Sequence, residues 1–267
     1  VAEEVIQSRQ NPRVQALVRL RDRAEREARG LFLVEGLREL SRALERKIPV
    51  SEIYFCPSMF RGVEAAELVT RARLDGVDCC ELGEAAFEKV SGREGPDGMI
   101  AVAKTWECSL AGLKLSAKPL LLIAESVEKP GNLGALLRTA DSAGCDALII
   151  CDPITDVFNP NVVRSSQGAV FSMPIAVASS AEVVAWLKAK GVSSLATTPA
   201  ATKSFWDVDY RRPSALLLGS EKDGLSDLML KSADEKISIP QAGLSDSLNV
   251  SMAAGIVLFE AVRQRRV

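Results

Sequence analysis

Histidine is absent from all 267 residues. That excludes every Ser-His-Asp and Cys-His arrangement, so the base of any enzyme built on this chain is a carboxylate, a Lys, an Arg, a Tyr or the substrate itself. Cysteine occurs six times, at Cys56, Cys79, Cys80, Cys108, Cys145 and Cys151, and never as C-x-x-C. With no C-x-x-C pair and no histidine, neither a zinc site nor any other metal centre is expected. No apolar run is long enough to span a bilayer, and Val1–Gln10, with Glu3 and Glu4, lacks the basic-then-apolar pattern of a secretory signal. The expectation is a cytosolic protein with no membrane partner. There is no G-x-G-x-x-G, and Gly219-Ser220-Glu221-Lys222-Asp223-Gly224-Leu225 lacks the Lys-Ser/Thr pair of a P-loop. An excess of either charge is missing too: 33 Lys and Arg stand against 35 Asp and Glu.

What is present is a globular composition long enough for one large or two ordinary domains. The charge is uneven along it. Between Val5 and Arg29 seven arginines (Arg9, Arg13, Arg19, Arg21, Arg23, Arg26 and Arg29) face three acids, and the tail carries Arg263, Arg265 and Arg266. A local basic stripe on a near-neutral body suits phosphate contacts. A solvated helix with pairs such as Glu25 with Arg29 accounts for it equally. The pattern predicts a basic helix over 8–29, within a segment 1–30. A small α/β unit follows at 31–105, with strands near Leu31–Val34, Ser51–Phe55, Val77–Leu82 and Met99–Ala103. A linker is expected at 106–118, because Trp106–Lys118 has no clear period. From 119 to the end a second α/β alternation begins. Its strands are expected at Leu120–Ala124, Ala147–Cys151, Val170–Ile175, Ser193–Thr197, Ala215–Gly219 and Lys236–Ile239. Continuous apolar runs of this kind mark a parallel sheet covered on both faces, whose ligands bind beyond the carboxyl ends of the strands.

Three segments carry chemistry. Glu128 to Ala140 follows a strand and opens a helix, with Asn132 as its expected cap, Leu133, Leu137 and Ala140 turned inward, and Arg138 off that stripe. Gly219 to Leu225 could bring backbone N–H groups close to a ligand. Ser247-Leu248-Asn249-Val250-Ser251 opens the last helix, capped by Asp246 or Ser247. A polar pair at the mouth of an otherwise apolar helix is costly unless it binds something.

In this order the three segments resemble the motifs of the SpoU (TrmH) family of RNA 2′-O-ribose methyltransferases: N-x-x-G-x-x-x-R-x-A at Asn132–Ala140, G-x-E-x-x-G-L at Gly219–Leu225, and I-P…S-L-N-V-S at Ile239–Ser251. The likeness covers about half the chain. Asn11-Pro12, then Phe32-Leu33-Val34-Glu35-Gly36 with Arg38, is similar to relatives carrying an extra RNA-binding domain, a small α/β sandwich like that of certain ribosomal proteins. The resemblance implies an α/β fold: a C-terminal trefoil-knotted domain with a mostly parallel sheet, joined to that N-terminal domain. A knot is something general folding rules would have excluded. It also implies S-adenosylmethionine held by Thr197, Thr198, Pro199, Gly219, Ser220, Glu221, Gly224, Ile239, Ser247, Leu248 and Asn249, and a homodimer through the final helix. Its catalytic positions are Arg138, Asn132, Glu221, Ser247 and Asn249. Arg138, a poor base because a guanidinium does not readily give up its proton, would orient the ribose hydroxyl and stabilise the alkoxide. Glu221 or a substrate phosphate would help take the proton. Arg9, Arg13, Arg38 and Arg164 are the candidate RNA contacts, Arg164 lying in a segment, Arg164-Ser165-Ser166-Gln167-Gly168, that resembles one near the family's substrate entrance. Large-subunit (23S) ribosomal RNA is the favoured substrate and tRNA its rival. A non-catalytic RNA-binding protein on the same fold and a nucleotide enzyme acting on a small molecule are the readings from other classes.

Overall fold

A computed structural model describes residues 5–244 and 247–266. Asp246, one of the two expected helix caps, lies outside them. Two compact units emerge: one holds the chain up to Trp106 together with Asp156–Phe171, the other Glu107–Thr155 and Ser172 onward.

The first unit starts with two helices, α1 (Pro12–Arg19) and α2 (Arg23–Arg29), where the sequence pattern suggested one. The break has a local cause. Asp22 caps α2 by accepting from Ala24 N–H, and the Arg26 guanidinium donates to the carbonyls of Leu20 and Arg21. Arg26 is buried and paired with Asp156, so it is no part of an open basic stripe. Glu25 and Arg29 do meet, at 3.6 Å. The unit continues with β1 (Leu31–Glu35), α3 (Leu37–Glu45), β2 (Val50–Phe55), α4 (Glu64–Leu74), β3 (Asp78–Glu81), α5 (Glu84–Val90) and β4 (Met99–Lys104). The strands form one sheet in the order β1-β4-β2-β3, antiparallel except for the β2/β3 pair. Alternation along the strands sorts its two faces. Leu33, Tyr54, Ile100 and Val102 pack with Val14 and Leu17 of α1 and Ala86, Phe87 and Val90 of α5. The opposite face takes α3.

The second unit begins with Glu107. The 106–118 segment, expected to be a linker, is hydrogen-bonded along the unit: Val177 N–H donates to Cys108 O at 2.9 Å and Ser116 N–H to Asp146 Oδ1 at 2.6 Å. Next come β5 (Leu120–Glu125), α6 (Pro130–Ala143) and β6 (Ala147–Cys151). The short helix α7 (Pro160–Ser165) belongs to the first unit, packed on β1. The chain resumes in the second unit with β7 (Ile175–Ala178), α8 (Ser180–Lys190), β8 (Ser193–Thr197), β9 (Ser214–Leu218), α9 (Asp227–Ser232), β10 (Glu235–Ile237) and α10 (Val250–Arg265). The strand expected at Val170–Ile175 is instead a 3-10 turn at Ala169–Phe171 followed by β7. Val170 and Phe171 are both buried outside the sheet ladder, Phe171 with its ring against Phe32. All six strands run parallel in the order β10-β8-β9-β5-β6-β7. One face is covered by α8 and α9 through Val183, Leu187 and Met229. On the other side α6 packs closely against α10. Cys145 and Cys151 are buried thiols, and burial pushes Cys145 up to about 12. Among the described residues no helix is long and apolar enough to cross a membrane, and no cluster could hold a metal ion.

Candidate active site

Two of the three motif segments begin where a parallel strand ends. Beyond β9 the chain turns at Gly219, and Ser220 and Gly224 exchange backbone hydrogen bonds of 3.0 and 3.2 Å. Gly224 takes φ +70, and a Cβ on Gly219 would collide with the Gly224 carbonyl, so the turn needs both glycines. The turn is anchored at its far side by Glu125, the last residue of β5 and 3% exposed. Glu125 accepts from Ser226 N–H at 2.7 Å, from Ser226 Oγ at 2.7 Å and from Ser180 Oγ at 2.6 Å. Nothing in the motif pattern singled out Glu125. The one available signal was an acid ending an otherwise apolar strand.

Asn132 is not the cap of α6. Pro130 occupies the first helical position, where its missing N–H costs nothing, and Lys129 takes the cap position. The Asn132 side chain is thereby free and donates Nδ2–H to Glu221 Oε1. Asn249 caps α10 in place of Ser247. Its Oδ1 accepts from Ser251 N–H at 2.9 Å and from Ser251 Oγ at 2.6 Å, while its Nδ2 donates to Asn132 Oδ1 at 3.1 Å. The result is a directed chain of donors, Asn249 to Asn132 to Glu221. A carboxylate accepts only, so the Asn132 amide has one orientation that satisfies both neighbours.

These groups line a cavity of about 520 Å³ at the carboxyl ends of β8, β9 and β10. Thr197, Thr198, Pro199, Gly219, Ser220, Glu221, Gly224, Ile239, Ser247, Leu248 and Asn249 all lie on its wall, with Asn132 beside them. Lys222 of the Gly219–Gly224 turn also lines it, as do Lys129 and Gln241, which were not anticipated. Two buried polar atoms on the wall have no partner among the described residues: Glu221 Oε2 and Thr197 Oγ1. Buried polar atoms left open in a cavity wait for a ligand. An anionic acceptor and a hydroxyl among Leu218, Leu225, Leu248 and Val250 suit a ligand with an apolar ring, hydroxyls and positive charge. S-adenosylmethionine, with its adenine, ribose and sulfonium, has that make-up.

Arg138 is not on this wall. It follows Asn132 by six residues on α6, a turn of about 240° and a rise of about 9 Å. Its side chain is exposed and has no hydrogen-bond or ion-pair partner among the described residues, and Asp141 accepts from Ser172 instead. The four candidate RNA contacts all lie in the first unit, and each has an internal partner: Arg9 with Ala85 O and Glu88, Arg13 with Asp78, Arg38 with Glu39, and Arg164 with Asn161.

Fold and cavity together define a parallel-sheet enzyme that holds a cationic, nucleoside-like ligand at its strand ends. Comparison with known proteins makes this specific. Residues 119–259 match the SpoU rRNA Methylase family, and residues 11–101 match the MRM3-like substrate binding domain. The chain is 33% identical to a 23S rRNA (uridine(2479)-2′-O)-methyltransferase of Streptomyces viridochromogenes, over 92% of this chain and 87% of that one. It is 31% identical to a 23S rRNA (guanosine(2553)-2′-O)-methyltransferase of Bacillus subtilis, over 95% and 97%. An AdoMet-bound rRNA methyltransferase from Sinorhizobium meliloti superposes with a TM-score of 0.87 at 29% identity, covering 97% of both chains. The chain belongs to the SpoU rRNA methylase family. It is an S-adenosylmethionine-dependent RNA methyltransferase.

Proposed function

We propose that the enzyme methylates a ribose 2′-hydroxyl of 23S ribosomal RNA, in the cytoplasm and as a homodimer. The observation that carries the substrate is coverage: relatives that act on 23S rRNA align over nearly the whole chain, substrate-binding unit included. Six cysteines, each a free thiol, suit a reducing compartment.

S-adenosylmethionine supplies a methyl group on a positively charged sulfur. The residues of the chain do the rest. Thr197–Pro199, the Gly219–Gly224 turn, Ile239 and Ser247–Asn249 hold the donor, in loops that the family's trefoil knot would bring together. Glu221, aimed by Asn132 and Asn249, presents an unpaired carboxylate oxygen to positive charge or to the hydroxyl proton. Arg138 stays open to the incoming RNA, where its guanidinium orients the hydroxyl and stabilises the developing alkoxide. Its planar fork is what Lys cannot reproduce.

The test is transfer of labelled methyl from the donor to an unmodified 23S rRNA transcript, with the product mapped as a 2′-O-methyl nucleotide. Arg138→Lys is expected to lower kcat by about 10²–10³ with donor affinity by calorimetry unchanged. No incorporation by the native enzyme overturns the substrate, and a near-native rate for R138K overturns the role of Arg138.

A further inference from the structure

Helix α3 and its C-cap carry arginine every fourth residue, at Arg38 and Arg42 in the helix and at the cap, Arg46. Residues spaced by four share a helix face, about 6 Å apart along the axis. The inner face of α3 buries Leu40 and Ala43, and all three arginines are exposed. Lys47 follows immediately, also exposed.

The α7 segment is fitted against this helix. Phe32 of β1 alternates with Leu33 and so faces α3. Its ring meets Phe158 at 5.0 Å and Phe171 at 6.5 Å, one at each end of the segment. Arg42 donates to the Gln167 carbonyl. Gln167 and Gly168 both take positive φ, 52 and 87, and a Cβ on Gly168 would run into the Arg42 stem. The turn after α7 is therefore shaped to lie under Arg42, and Arg164 precedes that turn by three residues.

Charge pairing separates this surface from the arginines that flank α1. On the α1 and α5 side Arg9 and Arg13 reach Glu88 and Asp78. On α3 only Arg38 has a carboxylate, the buried Glu39. Arg42 rests on a carbonyl and keeps its charge free, and Arg46 and Lys47 have no ion-pair partner among the described residues. We propose that the α3–α7 face, with Arg42, Arg46, Lys47 and Arg164, is where the phosphate backbone of the substrate RNA docks. The proposal rests on the RNA-methylating function above and says which surface of the first unit serves it.

The experiment measures binding of the full-length enzyme to an unmodified 23S rRNA transcript across a salt series. The variants are Arg46→Ala/Lys47→Ala, neither residue contributing to the core, and Lys89→Ala, an exposed cation on α5 across the sheet. Each phosphate contact adds about 0.7–0.9 to the slope of log K against log salt. Losing two should lower the slope by about 1.5 and weaken binding roughly tenfold near physiological salt. Donor affinity and thermal midpoint should stay native, and K89A should change nothing. Native slope and affinity in R46A/K47A overturn the surface, as does an equal loss in K89A. A native enzyme that binds no RNA overturns the functional reading with it, so the two failures are told apart.

Discussion

Asn249 does two things with one amide. Its oxygen caps α10 and its nitrogen orients Asn132, which orients Glu221. The two tasks come apart on substitution to Asp, which caps a helix as well as Asn but has no N–H to give. In Asn249→Asp the cap on Ser251 survives. Asn132 then either loses its partner or turns its oxygen toward the Glu221 carboxylate, and Glu221 is no longer held. The expected outcome is a thermal midpoint within about 2 °C of native, since a retained cap leaves the ~1 kcal/mol of its stabilisation in place. Methyl transfer should fall by about 10–100-fold, the cost of a misplaced group in a site that depends on alignment. Calorimetric melting and steady-state kinetics on one preparation check both, and a native rate in N249D would sink the relay. Asn132 and Asn249 were visible in the sequence because their chemistry requires those residue types at those positions. Which of them capped a helix was not visible, because Pro130 decides it for α6 and hydrogen bonding to Ser251 decides it for α10.

At the scale of elements, five of the six parallel strands of the second unit lie close to where their apolar residues placed them, and the Gly219–Gly224 turn was legible from its glycines. What escaped is what tertiary contact decides. Helix α7 is six residues long and too short to show a period, and it is held by the rings of Phe158 and Phe171 against Phe32. The 8–29 helix breaks because Arg26 takes up the free carbonyls at its kink, a bond with no sequence signature. The same holds for Glu125 and the Gly219–Ser226 turn. Glu125→Ala would take away the buried carboxylate to which the N–H and hydroxyl of Ser226 donate, at about 1.5–3 kcal/mol for each hydrogen bond to a charged acceptor, less where water replaces it. Ser180 keeps its second acceptor, Asp152. A loss of about 2–5 kcal/mol is therefore expected, read as a lower urea midpoint with an unchanged slope. Donor affinity should weaken in parallel because the turn carries Glu221. A native midpoint for E125A would show that the turn stands without its anchor.

For the whole molecule the decisive element is α10, whose Met252–Phe259 stretch has no polar side chain on any face. Val250, Ala253, Ala254, Val257, Leu258 and Ala261 are buried within the second unit, while Met252, Ile256 and Phe259 are 59%, 38% and 50% exposed on the other side. A helix with two apolar faces is stable only when both are covered, and a single chain covers one. A second copy laid across the stripe would cover the other, in a two-fold arrangement where each residue counts twice. Covering a Phe or Ile side chain contributes about 1.5–3 kcal/mol. Ile256→Glu/Phe259→Glu removes that from both copies and adds four charges to the buried patch. The proposed dimer should therefore dissociate at least about a thousandfold more readily, equivalent to about 4 kcal/mol. Because the stripe makes no contribution to the core of its own chain, the variant should keep a native circular dichroism spectrum. Sedimentation at micromolar concentration should then give twice the 28.7 kDa chain mass for the native protein and the chain mass for the variant. A native protein that sediments as a single chain, or a double variant that still pairs, would rule out α10 as the meeting surface.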